Sequence, residues 1–274
     1  METSVAARFY RAGWSRVPER WAVPGGSMQL VDVPDLCTLI EHPTEGLGLF
    51  DTGTSEAFAG NTRRFSLEAY RHVTQHRMTR ADTVRAQLEH DGLQASEIRW
   101  IVLSHLDPDH SGGLRDFPNA RIICSRAVRD LADAHSLGAA LRGRLFPNHL
   151  PLDFAERAAA SPETGPPLAP FPWSHDLFGD GSIVLVPLPG HAIGQIGALL
   201  RVDSGERWFL VADAIWSIEG LSRRGFFHEI IAVDRTAQDA TRRDLAAFAE
   251  EHDVLVLPSH CLAAARRMLG PQNP

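Results

Sequence analysis

SHLDPDHSGGL (104–114) places two histidines and two aspartates, His105, Asp107, Asp109 and His110, within six residues, directly after the apolar run WIVLSH (100–105). Side chains alternate along a strand, so four coordinating groups cannot all face inward from regular extended chain. The segment must turn into a loop, where alternate residues converge on one point and the Asp109–His110 pair on a second. Imidazole and carboxylate together suit zinc, iron or manganese. Gly112 and Gly113 permit a tight turn into the next element. Taken alone, the same segment also reads as a polar loop with a chance His/Asp cluster.

Working outward, LCTLIEH (36–42) and LGLFDTG (47–53) read as a strand pair joined around Pro43–Gly46, and ARIICS (120–125) as a further strand. Downstream, SIVLVPLPGH (182–191), GALLRVD (197–203), RWFLVAD (207–213) and DVLVLPSH (253–260) read as strands, and three of the four deliver His191, Asp213 or His260 at their ends. That pattern suits sheets packed face to face with a site at one rim. Helices are expected over 81–92, 126–135 and 236–252, the last with Thr236 as N-cap and Leu245 and Phe248 on one face. The Pro-, Ala-, Ser- and Glu-rich stretch 155–176 reads as a loop or insertion, a linker or a cap beside the site.

With 274 residues, 44% of them hydrophobic, the chain can bury a large core. Its formal net charge of −7 argues against a nucleic-acid partner, which calls for clustered Lys and Arg; Arg63, Arg64, Arg71, Arg77 and Arg80 read as a solvated helix face. The N-terminus lacks a signal-peptide apolar stretch and no run reaches transmembrane length, so a cytoplasmic protein with no membrane partner is the expectation. Cys37, Cys124 and Cys261 read as reduced thiols, the first two in the core. His42, His72, His76, His90, His135, His149, His175 and His252 sit in polar or turn contexts and read as surface.

The 104–114 segment resembles the HxHxDH motif of the metallo-β-lactamase superfamily, in the variant form HxDxDH. Phe50-Asp51-Thr52-Gly53 is similar to the family's early Asp-Thr-Gly motif, Pro189-Gly190-His191 with Gly194 to its PGHxxG motif, Asp213 to its bridging aspartate and Ser259-His260 to its last ligand. The match runs in order from about 36 to 260. The resemblance implies a single domain over 1–274 of the α/β, four-layer αββα class. It implies one divalent metal ion on His105, Asp107 and His191, a second on Asp109, His110 and His260, Asp213 bridging, and Asp51 as structural support. Zinc is the first expectation and iron or manganese the alternatives, because Asp107 replaces the usual His with a harder donor. The implied activity is hydrolysis of a lactone or small ester, with Asp109 and Asp213 orienting the nucleophile. A phosphodiesterase and a metal-dependent oxidoreductase, of sulfur dioxygenase or di-iron type, are the rivals. Trp216 and His228 are candidate substrate-binding residues. A small-molecule substrate is expected, with a homodimer left open.

Overall fold

The computed structural model describes residues 3–55, 75–133, 150–223 and 231–270. In chain order its regular elements are β1 (Ala6–Pro18), α1 (Glu19–Ala22), β2 (Leu30–His42), β3 (Gly46–Phe50), α2 (Val84–His90), β4 (Ile98–Val102), α3 (Pro108–Ser111), β5 (Arg121–Cys124), α4 (Arg126–Asp133), α5 (Phe154–Arg157), β6 (Ala158–Ala160), β7 (His175–Asp176), β8 (Ile183–Pro187), β9 (Ile196–Arg201), β10 (Arg207–Ala212), α6 (Arg235–Glu251), β11 (Leu255–Pro258) and α7 (Leu262–Leu269). They build two sheets, one in the order β1-β2-β3-β4-β5-β6 and the other β11-β10-β9-β8-β7. The first starts as an antiparallel meander and becomes parallel from β3 onward. The second is antiparallel except for β11, which runs parallel to β10.

The central strands are apolar on both faces because each sheet is covered twice, and the two-residue alternation sorts their side chains into separate layers. On β4, Trp100 and Val102 enter the layer between the sheets. Ile101, and Ile98 across a register irregularity that breaks the alternation before Trp100, turn to the outer layer, with Val84 and Leu88 of α2 and Val128 and Leu131 of α4. On β10, Trp208 and Leu210 face inward, and Phe209 and Val211 pack under Leu245 and Phe248 of α6. The result is helix, sheet, sheet, helix, the αββα arrangement. The Phe171, Phe209 and Phe248 rings meet at centroid separations of 5.4–5.7 Å, so truncating Phe248, which is fully buried, should cost about 3–5 kcal/mol.

Several local readings change. Residues 6–18 form a full-length edge strand that the sequence did not announce, since its apolar alternation is broken by Arg8, Arg11 and a register shift between Arg11 and Trp14. The N-cap of α6 is Asp234, whose carboxylate accepts from Ala237 N, rather than Thr236. Stretch 155–176 is not irregular throughout: it carries most of α5 and all of β6 and β7, and so supplies an edge strand to each sheet. Its Phe171 packs beneath α6, and Glu163 accepts from Arg126 N, so it is part of the sandwich edge. Arg63, Arg64, Arg71, His72, His135, His149 and His228 lie outside the described residues. Cys37, Cys124 and Cys261 are buried free thiols. Among the described residues no helix is long and apolar enough to cross a membrane.

Candidate metal centre

The chain leaves each sheet at one rim and there turns its acidic and imidazole groups together. After β4 it runs extended through His105, then Asp107 caps the short helix α3, with Pro108 at its first position and Asp109 and His110 on its single turn. Proline suits this position because its missing N–H has no helical partner there. The glycines that follow have ordinary negative φ, so the tight turn expected of them is not why they are needed. A Cβ on Gly113 would fall 2.4 Å from Thr52 O, and one on Gly112 2.5 Å from Pro108 O. They let this loop lie against the Asp51–Thr54 loop. Asp51 at the end of β3 and Ala212 at the end of β10 both adopt left-handed φ, +58° and +47°, a conformation that costs a non-glycine residue of order 1–3 kcal/mol. Both strands thereby bend sharply at the rim.

Two groups of potential ligands meet there: His105, His191 and Asp213, and Asp109, His110 and His260, the chosen atoms of each group lying within 4.8 Å of one another. Asp213 stands between them. Its Oδ2 is 3.4 Å from His191 Nε2, and its Oδ1 is 3.1 Å from His110 Nε2 and 3.3 Å from His260 Nε2. Asp107 Oδ2 lies 3.5 Å from His105 Nε2 and 3.3 Å from His191 Nε2, between the two imidazoles of the first group. Asp109 Oδ2 is 3.5 Å from His260 Nε2. Asp107 and Asp109, at 6% and 8% exposure, are the most solvent-accessible of the seven, so the centre opens on their side. Each group draws on both sheets, since residues 105–110 follow the first sheet and His191, Asp213 and His260 the second.

The imidazoles are locked from behind. His260 Nδ1 is 2.9 Å from Pro34 O; a carbonyl only accepts, so Nδ1 carries the hydrogen. His110 Nδ1 donates to Asp51 Oδ2 at 2.8 Å. Asp51 also accepts from Ser104 N at 2.8 Å and Ser104 Oγ at 2.7 Å, which leaves Ser104 Oγ to accept from His105 Nδ1, 2.9 Å away. All three rings therefore offer Nε2 as a lone pair toward the centre. His105, His110 and His260 Nε2 are buried with no hydrogen-bond partner, as is Asp213 Oδ1. Buried polar atoms left unmatched are costly, and a cluster of four acceptors aimed at one space fits a cation.

Two further groups were missed by the sequence reading. Asp35 on β2 lies 3.2 Å from His260 Nδ1 and 3.1 Å from His76 Nδ1, and Thr54 Oγ1 meets His76 Nε2 at 2.8 Å. The His76 side chain is 5% exposed, so the surface assignment of His76 is corrected. The same holds for His42, 2% exposed and held by Asp180 and Ser182. No motif marks these pairs because their partners are remote in sequence. Trp216 is buried, and its indole N–H donates to Asp213 Oδ2 at 2.9 Å while its ring sits 4.5 Å from that of His260. It braces the central aspartate from behind.

The electrostatics follow from burial without solvent. Burial opposes charge on Asp213, but His260, His110 and His191 outweigh it and hold that carboxyl well below the usual range. Burial likewise disfavours the His110 and His260 imidazolium ions, yet the surrounding carboxylates, Asp213 foremost, raise both well above the ordinary histidine value. Asp109 is pushed up, chiefly by burial.

A buried two-group His/Asp centre at the rim of an αββα sandwich defines a class of metalloproteins, and the comparisons agree. The sequence profile of the Metallo-beta-lactamase superfamily matches residues 31–260; the chain belongs to that superfamily. A probable metallo-hydrolase of Mycobacterium tuberculosis is 35% identical over 195 residues, 68% of this chain and 58% of that one. An N-acyl homoserine lactonase, AttM, of Agrobacterium fabrum is 26% identical over 64% of this chain and 62% of its own length. The chain thus spans about three fifths of these curated relatives. A second AttM, from Rhizobium johnstonii, is 27% identical over 85% of this chain and 84% of its own. Among solved structures, an N-acyl homoserine lactone hydrolase with N-hexanoyl-L-homoserine at its catalytic metal center superposes with a TM-score of 0.73 over 97% of both chains at 20% identity, which is a likeness of fold.

Proposed function

We propose that this protein is a binuclear metal-dependent hydrolase that opens a lactone or cleaves a small ester. The observation that carries the reading is the locking of three buried imidazoles with Nε2 turned into one space beside Asp213. His105, Asp107 and His191 would hold one divalent cation, Asp109, His110 and His260 the other, with Asp213 shared between them. When bound, two such cations polarise a carbonyl and make hydroxide available near neutral pH. Around them the protein's own groups divide the work. Asp109 and Asp213 orient the attacking water by hydrogen bonding. Asp51, Ser104 and the Pro34 carbonyl keep each ring in the ligating tautomer. Trp216 fixes the rotamer of Asp213. The open side at Asp107 and Asp109 admits a small-molecule substrate. The lactonase names carried by relatives support the substrate class, and zinc is the first choice of metal.

The test is metal analysis of protein purified without added metal, followed by a panel of lactones and esters before and after chelation. About two ions per chain, with lactone or ester cleavage lost on chelation and restored by zinc, manganese or iron, is the expected result. A metal-loaded protein that cleaves neither class overturns the substrate assignment, and under half an ion per chain overturns the centre. Asp107 sustains one rival, since its oxygen donor favours iron: iron as the native metal with oxygen consumption would indicate an oxidoreductase.

A further inference from the structure

Behind the metal centre the pairing of β1 with β2 is broken. Arg11 pairs with Leu36 and Trp14 with Pro34, so two residues, Ala12 and Gly13, stand opposite the single Asp35. Such a bulge bends the strand and re-aims the side chains beside it. Gly13 has φ +130°, and a Cβ there would fall 3.0 Å from His76 Cε1 and 3.3 Å from Asp35 Oδ2. The missing side chain leaves the space in which those two residues meet. The chain carrying His76 is fastened to the bulge by two backbone hydrogen bonds, Trp14 N to Arg77 O at 2.9 Å and Arg77 N to Trp14 O at 2.7 Å. On the other side Leu36 N donates to Ser259 O at 3.0 Å, which sets β2 beside His260.

Asp35 therefore stands between a histidine of the centre and a histidine outside it. Its Oδ1 is 3.2 Å from His260 Nδ1, whose hydrogen Pro34 O accepts at 2.9 Å, and its Oδ2 is 3.1 Å from His76 Nδ1. The Asp35 and His260 side chains are each 1% exposed. A carboxylate buried this deeply needs a counter-charge, and His260 is neutral whenever its Nε2 holds a cation. His76 supplies that charge. Thr54 Oγ1 donates its hydrogen to Ala12 O at 3.2 Å, which leaves a lone pair for His76 Nε2–H at 2.8 Å. With Nδ1 turned to the carboxylate, both ring nitrogens face acceptors, which is the imidazolium form. Burial opposes that charge, but Asp35 outweighs it and raises the ring above the ordinary histidine value.

The backing of the other rings gives the comparison. His110 rests on the Asp51 carboxylate and His105 on the neutral Ser104 hydroxyl. Both imidazoles of the second group thus have a carboxylate behind them, and a carboxylate in that position raises the basicity of a ligating imidazole. We infer that Asp35 and His76 are positioning residues of the metal centre: Asp35 orients His260 and strengthens its Nε2 as a donor, so that the Asp109–His110–His260 group holds its cation more tightly, and His76 acts on that cation only through Asp35. The inference rests on the binuclear reading given above.

The test uses the full chain labelled with 15N-histidine and loaded with 113Cd. Each cadmium resonance is assigned through the imidazole nitrogens coupled to it, and affinities are measured by competition with a chelator. Asp35→Asn keeps the size of the side chain and removes its charge. It should weaken cadmium binding at the second group about 10- to 100-fold and move the resonance coupled to His260, while the resonance coupled to His105 and His191 stays in place. His76→Gln should move the same resonance with a smaller loss of affinity. The double variant should bind no more weakly than Asp35→Asn alone, since a residue that acts through another adds nothing once its partner is neutral. Should Asp35→Asn fail to fold, His76→Gln carries the test by itself. Parental affinity with unmoved resonances in either variant, equal losses at both groups, or a double variant that sums the two losses overturns the inference while leaving the centre intact. A parent chain that takes up no cadmium overturns the centre and this inference together.

Discussion

Asp107→Ala tests the least ordinary part of the centre. Its carboxylate lies between His105 Nε2 and His191 Nε2, at 3.5 and 3.3 Å, where it acts as a ligand of the first cation or merely as a hydrogen-bond partner of the two rings. The magnitudes separate these roles. A tightly held zinc ion contributes roughly 10–16 kcal/mol across four donors, about 2.5–4 kcal/mol for each. Deleting one ligand should therefore weaken that site by roughly 10² to 10³-fold, while leaving the Asp109–His110–His260 group intact. Titration against a chromophoric chelator, at free metal concentrations where the parent binds two ions, should then count one ion in Asp107→Ala. Asp107→His should regain the second with a stronger preference for zinc over manganese, since it exchanges a hard donor for a nitrogen. Activity should fall steeply in the alanine variant, because one of two activating cations is gone. Two ions bound with parental affinity in Asp107→Ala would refute the ligand role.

Three further outcomes are expected. Trp216→Phe keeps the ring packed near His260 but removes the N–H donated to Asp213; a loss of about 10- to 100-fold in metal affinity or kcat is expected, and parental values for both would show the brace to be idle. Gly113→Ala should lower the stability by about 1–3 kcal/mol in thermal or denaturant unfolding, because its Cβ meets the Thr52 carbonyl rather than a yielding side chain; an unchanged Tm would mean the two loops part freely. In the metal-free protein, the depressed Asp213 gives stability that is present above about pH 4 and lost as pH falls through its lower folded value, whereas the raised His110 and His260 give stability that is present below about pH 6.5 and lost as pH rises through their folded values. Metal needs those rings neutral, so the gap in Tm between loaded and metal-free protein should widen from pH 6 to 8.5; a gap that narrows would contradict this charge assignment.

What could be read from the chain follows from where the information lies. The convergence of the seven His and Asp positions was legible because each stands at the end of an apolar run or within one dense segment; the packing of sheets face to face was legible from those same apolar runs, whereas the four-layer αββα order came from the resemblance. β1 was not, because arginines interrupt its alternation and a register shift breaks its pairing with β2. Asp35 and His76 were invisible for a different reason: their partnership with His260 is made across the fold, and nothing local to either residue distinguishes it from an ordinary polar position. The nearness of Trp216 to Asp213 was legible, since only two residues separate them, but it was read as a substrate-binding residue, and only the bend after Ala212 shows its N–H turned back onto that carboxylate. The edge strands within 155–176 are two or three residues long and owe their pairing to neighbours rather than to their own composition.

Because each candidate ligand group takes donors from both sheets, an ion bound there would also be a cross-link between distant stretches of chain. An ion on the second group would tie residue 110 to residue 260, closing a loop of more than half the protein, and one on the first would tie residue 105 to 191 and 213. Restricting an unfolded chain in this way has the same entropic logic as a disulfide, without any use of the buried cysteines. Neither half of the sequence holds a complete set of donors, so tight metal capture has to wait until both sheets have docked. Metal uptake is then a report on completed folding: a chain cut between Asp133 and Leu150, even with both pieces present, should take up metal only to the extent that the pieces reassemble.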